Sequence, residues 1–116
     1  MKPRILLVDD HTIVLQGLRT LLQKEFEILL ARDAAGAIKA ITDFDPNVVV
    51  LDVSMPVLSG FDAARQIRKI APHIKVVFLT MHTDPLYVQE AFDAGASAYV
   101  AKFSASETLQ HAIRDP

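Results

Sequence analysis

The chain alternates regularly between short apolar runs and longer segments whose apolar residues recur at helical spacing. We predict five strands, at residues 5–8, 26–31, 47–52, 74–80 and 98–101. We predict five helices, which begin near residues 12, 34, 61, 85 and 104 or 106. Parallel neighbouring strands need crossover connections, and helices of this length provide them. The pattern therefore predicts an α/β fold, in which a doubly wound parallel sheet carries helices on both faces.

Residues with known capping preferences mark the ends of several predicted helices. Asp33 is placed to cap the second helix, which should stop before Asp45. Asp84 is placed to cap the fourth helix, with Pro85 at its first position and Gly95 at its end. Residues 54–60 contain a proline and a glycine and are predicted to form a loop.

Composition limits the classes of function that this chain can have. A length of 116 residues suits one domain, predicted over 1–116, and an apolar fraction of 51% supports a folded core. No apolar run is long enough for a membrane span, so we expect no membrane partner. The absence of cysteine excludes disulfides and fits a cytoplasmic location. A net charge of -2 argues against nucleic-acid binding through this domain.

Polar residues follow the ends of four of the five predicted strands. Asp9 and Asp10 follow the first, Asp52 ends the third, Thr80 ends the fourth and Lys102 follows the fifth. Doubly wound sheets bind ligands at the carboxyl ends of their strands, so we expect these side chains to lie together. Four of the five have an ordinary alternative interpretation: Asp10 as a helix N-cap, Asp52 as a turn residue, Thr80 as a loop cap and Lys102 as a solvated lysine. Their coincidence at one sheet edge favours a functional site.

The residue types at this edge indicate a specific chemistry. Three carboxylates that share a site repel one another, and a hard divalent cation such as Mg²⁺ relieves the repulsion. With a cation in place, Asp52 can stay ionised and act as a nucleophile toward phosphorus. Lys102 and Thr80 can then supply a positive charge and a hydroxyl donor to the phosphoryl oxygens. The histidines show no metal-ligand spacing and are predicted to be surface residues: His11, His73, His82 and His111.

Four motifs, in this order, resemble those of the receiver domain of two-component response regulators. They are LVDD at 7–10, LDVSMPVLSG at 51–60, FLT at 78–80 and AGASAYVAK at 94–102. The resemblance implies a flavodoxin-like, five-stranded parallel sheet in the order 2-1-3-4-5. It also implies that a sensor histidine kinase transfers a phosphoryl group to Asp52 in the presence of Mg²⁺ or Mn²⁺. Such a domain is a phosphoacceptor that assists its own phosphorylation and dephosphorylation, rather than an enzyme.

The same resemblance implies which residues hold the cation. Asp10, Asp52 and the backbone carbonyl of Ser54 would bind it directly, and Asp9 would act largely through water.

The resemblance also implies the residues that sense the phosphoryl group. Thr80 and Lys102 would contact the phosphoryl group, and Tyr99 would be the aromatic residue that turns inward on activation. Two positions depart from the usual receiver pattern: Met81 follows the threonine in place of a smaller residue, and Phe103 replaces a proline. We expect Met81 to line the approach to the phosphoryl pocket, and the Lys102–Phe103 bond to be trans.

The segment VDDHTIVLQGLRTLL at 8–22 resembles the first helix of NarL/LuxR-type regulators, which carry a C-terminal helix-turn-helix domain. We therefore expect an effector domain beyond residue 116, and DNA binding only through that domain. The resemblance also suggests a homodimer through the first and last helices. In the first helix, the predicted inward residues are Val14, Leu18, Leu21 and Leu22. Leu15 is interpreted either as an ordinary surface leucine or as part of the dimer face.

Three other functions compete with the phosphoacceptor switch. A degenerate receiver would act only through protein–protein contacts, although all five key residue types are present here. A phosphatase of the haloacid-dehalogenase type would need a second aspartate two positions after its nucleophile, where this chain has Ser54. A dinucleotide-binding module would need a glycine-rich G-x-G-x-x-G loop after the first strand, where this chain has DDHTIV.

Overall fold

The computed structural model describes residues 2–52, 60–80 and 85–101. The strands within these ranges are β1 (Arg4–Val8), β2 (Glu27–Ala31), β3 (Val48–Asp52), β4 (Lys75–Thr80) and β5 (Ala98–Ala101). The helices are α1 (Thr12–Leu22), α2 (Ala34–Phe44), α3 (Gly60–Ile70) and α4 (Pro85–Asp93). Every strand and every one of these four helices begins within two residues of its predicted start. The predicted last helix lies outside the described residues.

All strand pairs of the sheet are parallel, and the strand order is β2-β1-β3-β4-β5. This order confirms the flavodoxin-like sheet that the sequence motifs implied. Every residue of β3 is buried, because a central strand of a parallel sheet is covered on both faces. The edge strand β2 is more open, and both Glu27 and Leu29 on it are exposed.

Two apolar cores cover the two faces of the sheet. Successive strand residues point to opposite faces, so Leu6 and Val8 enter one core while Ile5 and Leu7 enter the other. The first core contains buried residues of α2, α3 and α4, and the second contains buried residues of α1. The predicted doubly wound architecture with helices on both faces is thereby confirmed.

The inward face of α1 differs from the prediction. Leu15, Leu18 and Leu22 are buried in the second core, whereas Leu21 is exposed. Each residue turns an α-helix by about 100°, so Leu21 lies about a quarter turn away from Leu22. Leu15 is only 2% exposed, and both interpretations of it as a surface residue are therefore wrong. Ile13, on the opposite side of the helix, is 86% exposed.

The predicted helix caps are confirmed where the structure describes them. The side chain of Asp33 accepts a hydrogen bond from the backbone N–H of Gly36 at 2.7 Å. Asp45 follows α2 in the left-handed region, with φ of 49°. Pro85 is the first residue of α4, while Asp84 lies outside the described residues. Gly95 follows the end of α4 with φ of 96°, a conformation that favours glycine.

Candidate functional site

The register of two central strands brings the acidic residues together. Val8 of β1 pairs with Leu51 of β3. The residue after each of these is an aspartate, so Asp9 and Asp52 lie side by side where the two strands end. Both side chains are buried, each with 1% exposure, although their carboxyl groups are polar. Asp10, one residue further along the chain, is half-buried. The prediction that the three acids meet at one edge of the sheet is confirmed.

These three acids form a compact cluster with the histidine that follows them. Asp9, Asp10, His11 and Asp52 each offer a ligand atom, and all four atoms lie within 4.8 Å of one another. The cluster lies where β1 and β3 end, at the carboxyl edge of the sheet. It is the kind of position at which doubly wound sheets bind their ligands.

His11 is the residue that sequence reasoning missed. Its Nδ1 lies 2.8 Å from Oδ1 of Asp9, 3.2 Å from Oδ1 of Asp10 and 3.9 Å from Oδ2 of Asp52. The side chain is 58% exposed, so the predicted surface position is correct, but its Nδ1 faces the acids. The available signal was its position directly after two aspartates at the end of a strand.

The start of α1 tests the alternative interpretation of Asp10 as a helix N-cap. The N-cap residue of α1 is His11, whose side chain makes no capping hydrogen bond. Its backbone N–H donates instead to Oδ1 of Asp9 at 2.9 Å. The interpretation of Asp10 as a helix N-cap is therefore wrong, because the helix begins one residue later.

The donor set of the cluster fits a divalent cation. Ionised carboxylates only accept hydrogen bonds, and several in one buried place destabilise each other's charged form. Oδ1 of Asp10 is buried and accepts no hydrogen bond with good geometry within the described residues, although Nδ1 of His11 lies 3.2 Å away. Carboxylate oxygens are the ligands that Mg²⁺ takes in proteins. These acids can therefore hold such an ion.

The remaining predicted site residues are described only in part. Thr80 ends β4 and pairs through its backbone with Ala101 of β5, which places it at the same edge of the sheet. Tyr99 on β5 is half-buried and packs against the first core. Other residues named in the sequence analysis lie outside the described residues: Ser54, Met81, His82, Lys102, Phe103 and His111.

Two further features of the described residues bear on the predictions. His73 is exposed, as predicted. Its Nε2 lies 3.8 Å from Oδ1 of Asp45, and neither residue belongs to the acidic cluster. No helix in the described part of the chain has the length and apolar character needed to cross a membrane.

The fold is similar to those of solved response regulator structures. A crystal structure of a response regulator receiver domain protein from Clostridium thermocellum matches with a TM-score of 0.90 and 34% identity. That match covers 97% of this chain and 92% of the other. A LuxR-family two-component response regulator from Aurantimonas sp. SI85-9A1 matches with a TM-score of 0.87 and 35% identity, covering 95% and 81% of the two chains.

Residues 5–114 match the family model of the response regulator receiver domain, and the chain belongs to this family. Its similarity to LuxR-family regulators places it with the NarL/LuxR type, as the segment at 8–22 predicted. The transcriptional regulatory protein LnrK of Bacillus subtilis is 34% identical over 113 residues, which cover 95% of this chain and 51% of LnrK. The chain spans about half the length of the curated relatives it matches.

Proposed function

We propose that this chain is a phosphorylation-dependent signalling switch, in which Asp52 accepts a phosphoryl group from a sensor histidine kinase. The observation that carries the proposal is the convergence of Asp9, Asp10 and Asp52 at the carboxyl ends of β1 and β3. Membership of the receiver family supports the same function. In the transfer, an oxygen of Asp52 bonds to phosphorus as the bond between phosphorus and the kinase histidine nitrogen breaks.

The cation of this site would be Mg²⁺ or Mn²⁺, held by Asp10, Asp52 and the backbone carbonyl of Ser54, with Asp9 acting through water. The bound ion would supply positive charge to the carboxylates and to the phosphoryl oxygens. The buried carboxylate of Asp52 would be weakly hydrated, and the bound ion would keep it in the ionised form that attacks phosphorus. The direct ligand roles follow the family resemblance, and the close approach of the carboxylates of Asp10 and Asp52 supports those of these two residues.

The phosphoryl group would be sensed from the neighbouring strands. Thr80 would donate its hydroxyl to a phosphoryl oxygen, and Lys102 would contribute positive charge. The position of Thr80 at the end of β4, next to the strand that carries Asp52, supports its role. Tyr99 would turn inward on activation, and its half-buried position against the first core leaves it partly accessible before that change.

The output of the switch would be transcription regulation through an effector domain beyond residue 116. The curated relatives are about twice as long as this chain, and several are named as transcriptional regulators. DNA would then be bound only by that further domain. A homodimer through the first and last helices and a cytoplasmic location remain predictions of the sequence.

The test of this function is intact mass spectrometry after incubation with acetyl phosphate. We expect one acid-stable, base-labile phosphoryl group on the wild-type chain when Mg²⁺ is present, and none when EDTA removes it. Asp52→Asn should abolish the modification. Asp62→Asn should not, because Asp62 is an exposed acid on α3 that bonds to Arg65 outside the site.

Two results would contradict the proposal in different ways. A phosphoryl group that persists in Asp52→Asn, on a serine or a histidine, would show that the acceptor is misassigned. A wild-type chain that stays unmodified by acetyl phosphate and by sensor kinases, yet still binds partner proteins, would favour the degenerate receiver.

A further inference from the structure

We propose that His11 is an additional ligand of the divalent cation, through Nδ1, and that it makes this site favour transition-metal cations more than the carboxylates alone would. The inference rests on the proposed function in one respect, since the same carboxylates must bind a cation. It goes beyond that function because it adds a nitrogen donor to a site otherwise built from oxygen ligands.

The distances from Nδ1 of His11 to Asp10 and Asp52 are compatible with binding to the same ion. With metal–ligand bonds of about 2.1 Å, neighbouring ligand atoms of an octahedral ion lie about 3 Å apart and opposite ones about 4.2 Å apart. Nδ1 lies 3.2 Å from Oδ1 of Asp10, close to the distance between neighbours, whereas its 2.8 Å distance from Oδ1 of Asp9 is a hydrogen-bonding contact with the acid that would act through water. It lies 3.9 Å from Oδ2 of Asp52, between the two expected values.

Side-chain accessibility and backbone position also fit a ligand role. The ring is 58% exposed, so it lies at the open side of a cluster whose other side is the buried pair Asp9 and Asp52. As the N-cap residue, His11 has an extended backbone with φ of -91° and ψ of 99°. Its backbone N–H is fixed to Oδ1 of Asp9 at 2.9 Å, which restricts where the ring can lie.

The chemistry of imidazole determines which cations such a site would favour. Mg²⁺ prefers oxygen ligands and gives up its waters reluctantly, whereas imidazole nitrogen suits zinc, nickel and iron. Nδ1 lies 2.8 Å from Oδ1 of Asp9, and it donates a hydrogen bond to an ionised carboxylate there only in the tautomer that carries a hydrogen on Nδ1. A cation bound there would take the place of that hydrogen, with the ring proton on Nε2.

The test compares wild type with His11→Gln, with His73→Gln as the matched control. His73 is an exposed histidine that lies beside Asp45 and away from the acidic cluster. Calorimetric titration with Zn²⁺ should give an affinity about tenfold lower or more for His11→Gln than for wild type, since a nitrogen ligand is lost. The Mg²⁺ affinity of the same variant should change by less than about threefold, because a water can take the vacated position. His73→Gln should match wild type with both cations.

A spectroscopic measurement on the wild-type protein tests directly whether Nδ1 of His11 binds the cation. Pulsed electron paramagnetic resonance of the Mn²⁺-loaded chain should show coupling to an imidazole nitrogen. The coupling should persist in His73→Gln and disappear in His11→Gln. A role for His11 that is limited to holding Asp9 in place would give no such coupling.

The possible failures are distinguishable. If wild type binds Mg²⁺ and Mn²⁺ but the Mn²⁺-loaded chain shows no coupling to an imidazole nitrogen, this inference is wrong and the proposed function stands. The same conclusion follows if His11→Gln leaves the Zn²⁺ affinity unchanged. If wild type binds no divalent cation at all, the inference and the cation dependence of the proposed function both fail.

Discussion

Replacing Leu15 by alanine should destabilise the domain strongly, although the sequence placed this residue on the surface. Its side chain is 2% exposed and packs in the second core with Ile5, Leu7 and Leu18. Leu→Ala substitutions at such sites lose about 2–5 kcal/mol, part of it for the cavity that remains. Because the first core and the other apolar residues of α1 stay in place, we expect a loss of about 3 kcal/mol.

The expected change can be measured by thermal and urea denaturation. The entropy of unfolding is about 2.1 cal/mol/K per residue, which for 116 residues gives a fall in Tm of about 4 °C per kcal/mol. Leu15→Ala should therefore melt about 12 °C below wild type. The chain contains no tryptophan, so far-UV circular dichroism is the appropriate signal. Total stabilities are typically about 5–15 kcal/mol, and we expect the variant to remain folded at room temperature.

Ile13→Ala is the matched control, since it shortens a β-branched residue on the same helix at 86% exposure. Its stability should change by less than about 0.5 kcal/mol. A loss below about 1 kcal/mol for Leu15→Ala, or a larger loss for Ile13→Ala, would refute the assignment of the buried face of α1. Leu15→Glu is unsuitable as a probe of dimer formation, because it would place an unpaired carboxylate in the core.

Substitutions at two further positions test local backbone features by the same melting experiments. Gly95→Ala should lose about 1–2 kcal/mol, because φ is 96° and an added Cβ would lie 3.0 Å from Nε of Arg68; an unchanged Tm would show that the backbone there relaxes freely. Asp33→Ala should lose about 1 kcal/mol with its hydrogen bond to Gly36, whereas Asp33→Asn should keep most of that stability. Equal losses in the two Asp33 variants would mean that charge, and not the cap, is what matters.

Element types could be predicted because each one has a strong local signal. Four apolar residues in a row at 48–51 are typical of a strand that is covered on both faces, and all of β3 is buried. Asp33 before α2 and Gly95 after α4 have the residue types that helix ends require. The order of the strands came from the family motifs instead, since an alternating pattern alone is compatible with several crossover arrangements.

The face of α1 could not be predicted reliably because apolar residues are consecutive at 13–15 and again at 21–22. Two overlapping stripes then have helical spacing, and the periodicity of the sequence does not choose between them. The structure buries the stripe of Leu15, Leu18 and Leu22 and leaves Ile13 and Leu21 outside. The packing of the helix in the second core decides between the stripes, and this packing is a property of the tertiary structure.

The position of the acidic cluster could be predicted from the ends of the strands, whereas the position of His11 could not. Asp9 directly follows β1 and Asp52 ends β3, and the direction of a strand fixes where the residues at its end lie, so the edge that they share followed from the fold class. His11 follows the strand, and the orientation of its ring depends on the turn into α1. That turn is held by Oδ1 of Asp9, which lies 2.9 Å from the backbone N and 2.8 Å from Nδ1 of His11. Because one carboxylate oxygen contacts both groups, the start of α1 and the acidic cluster are joined, and the orientation of the His11 ring could not be predicted from the strand pattern alone.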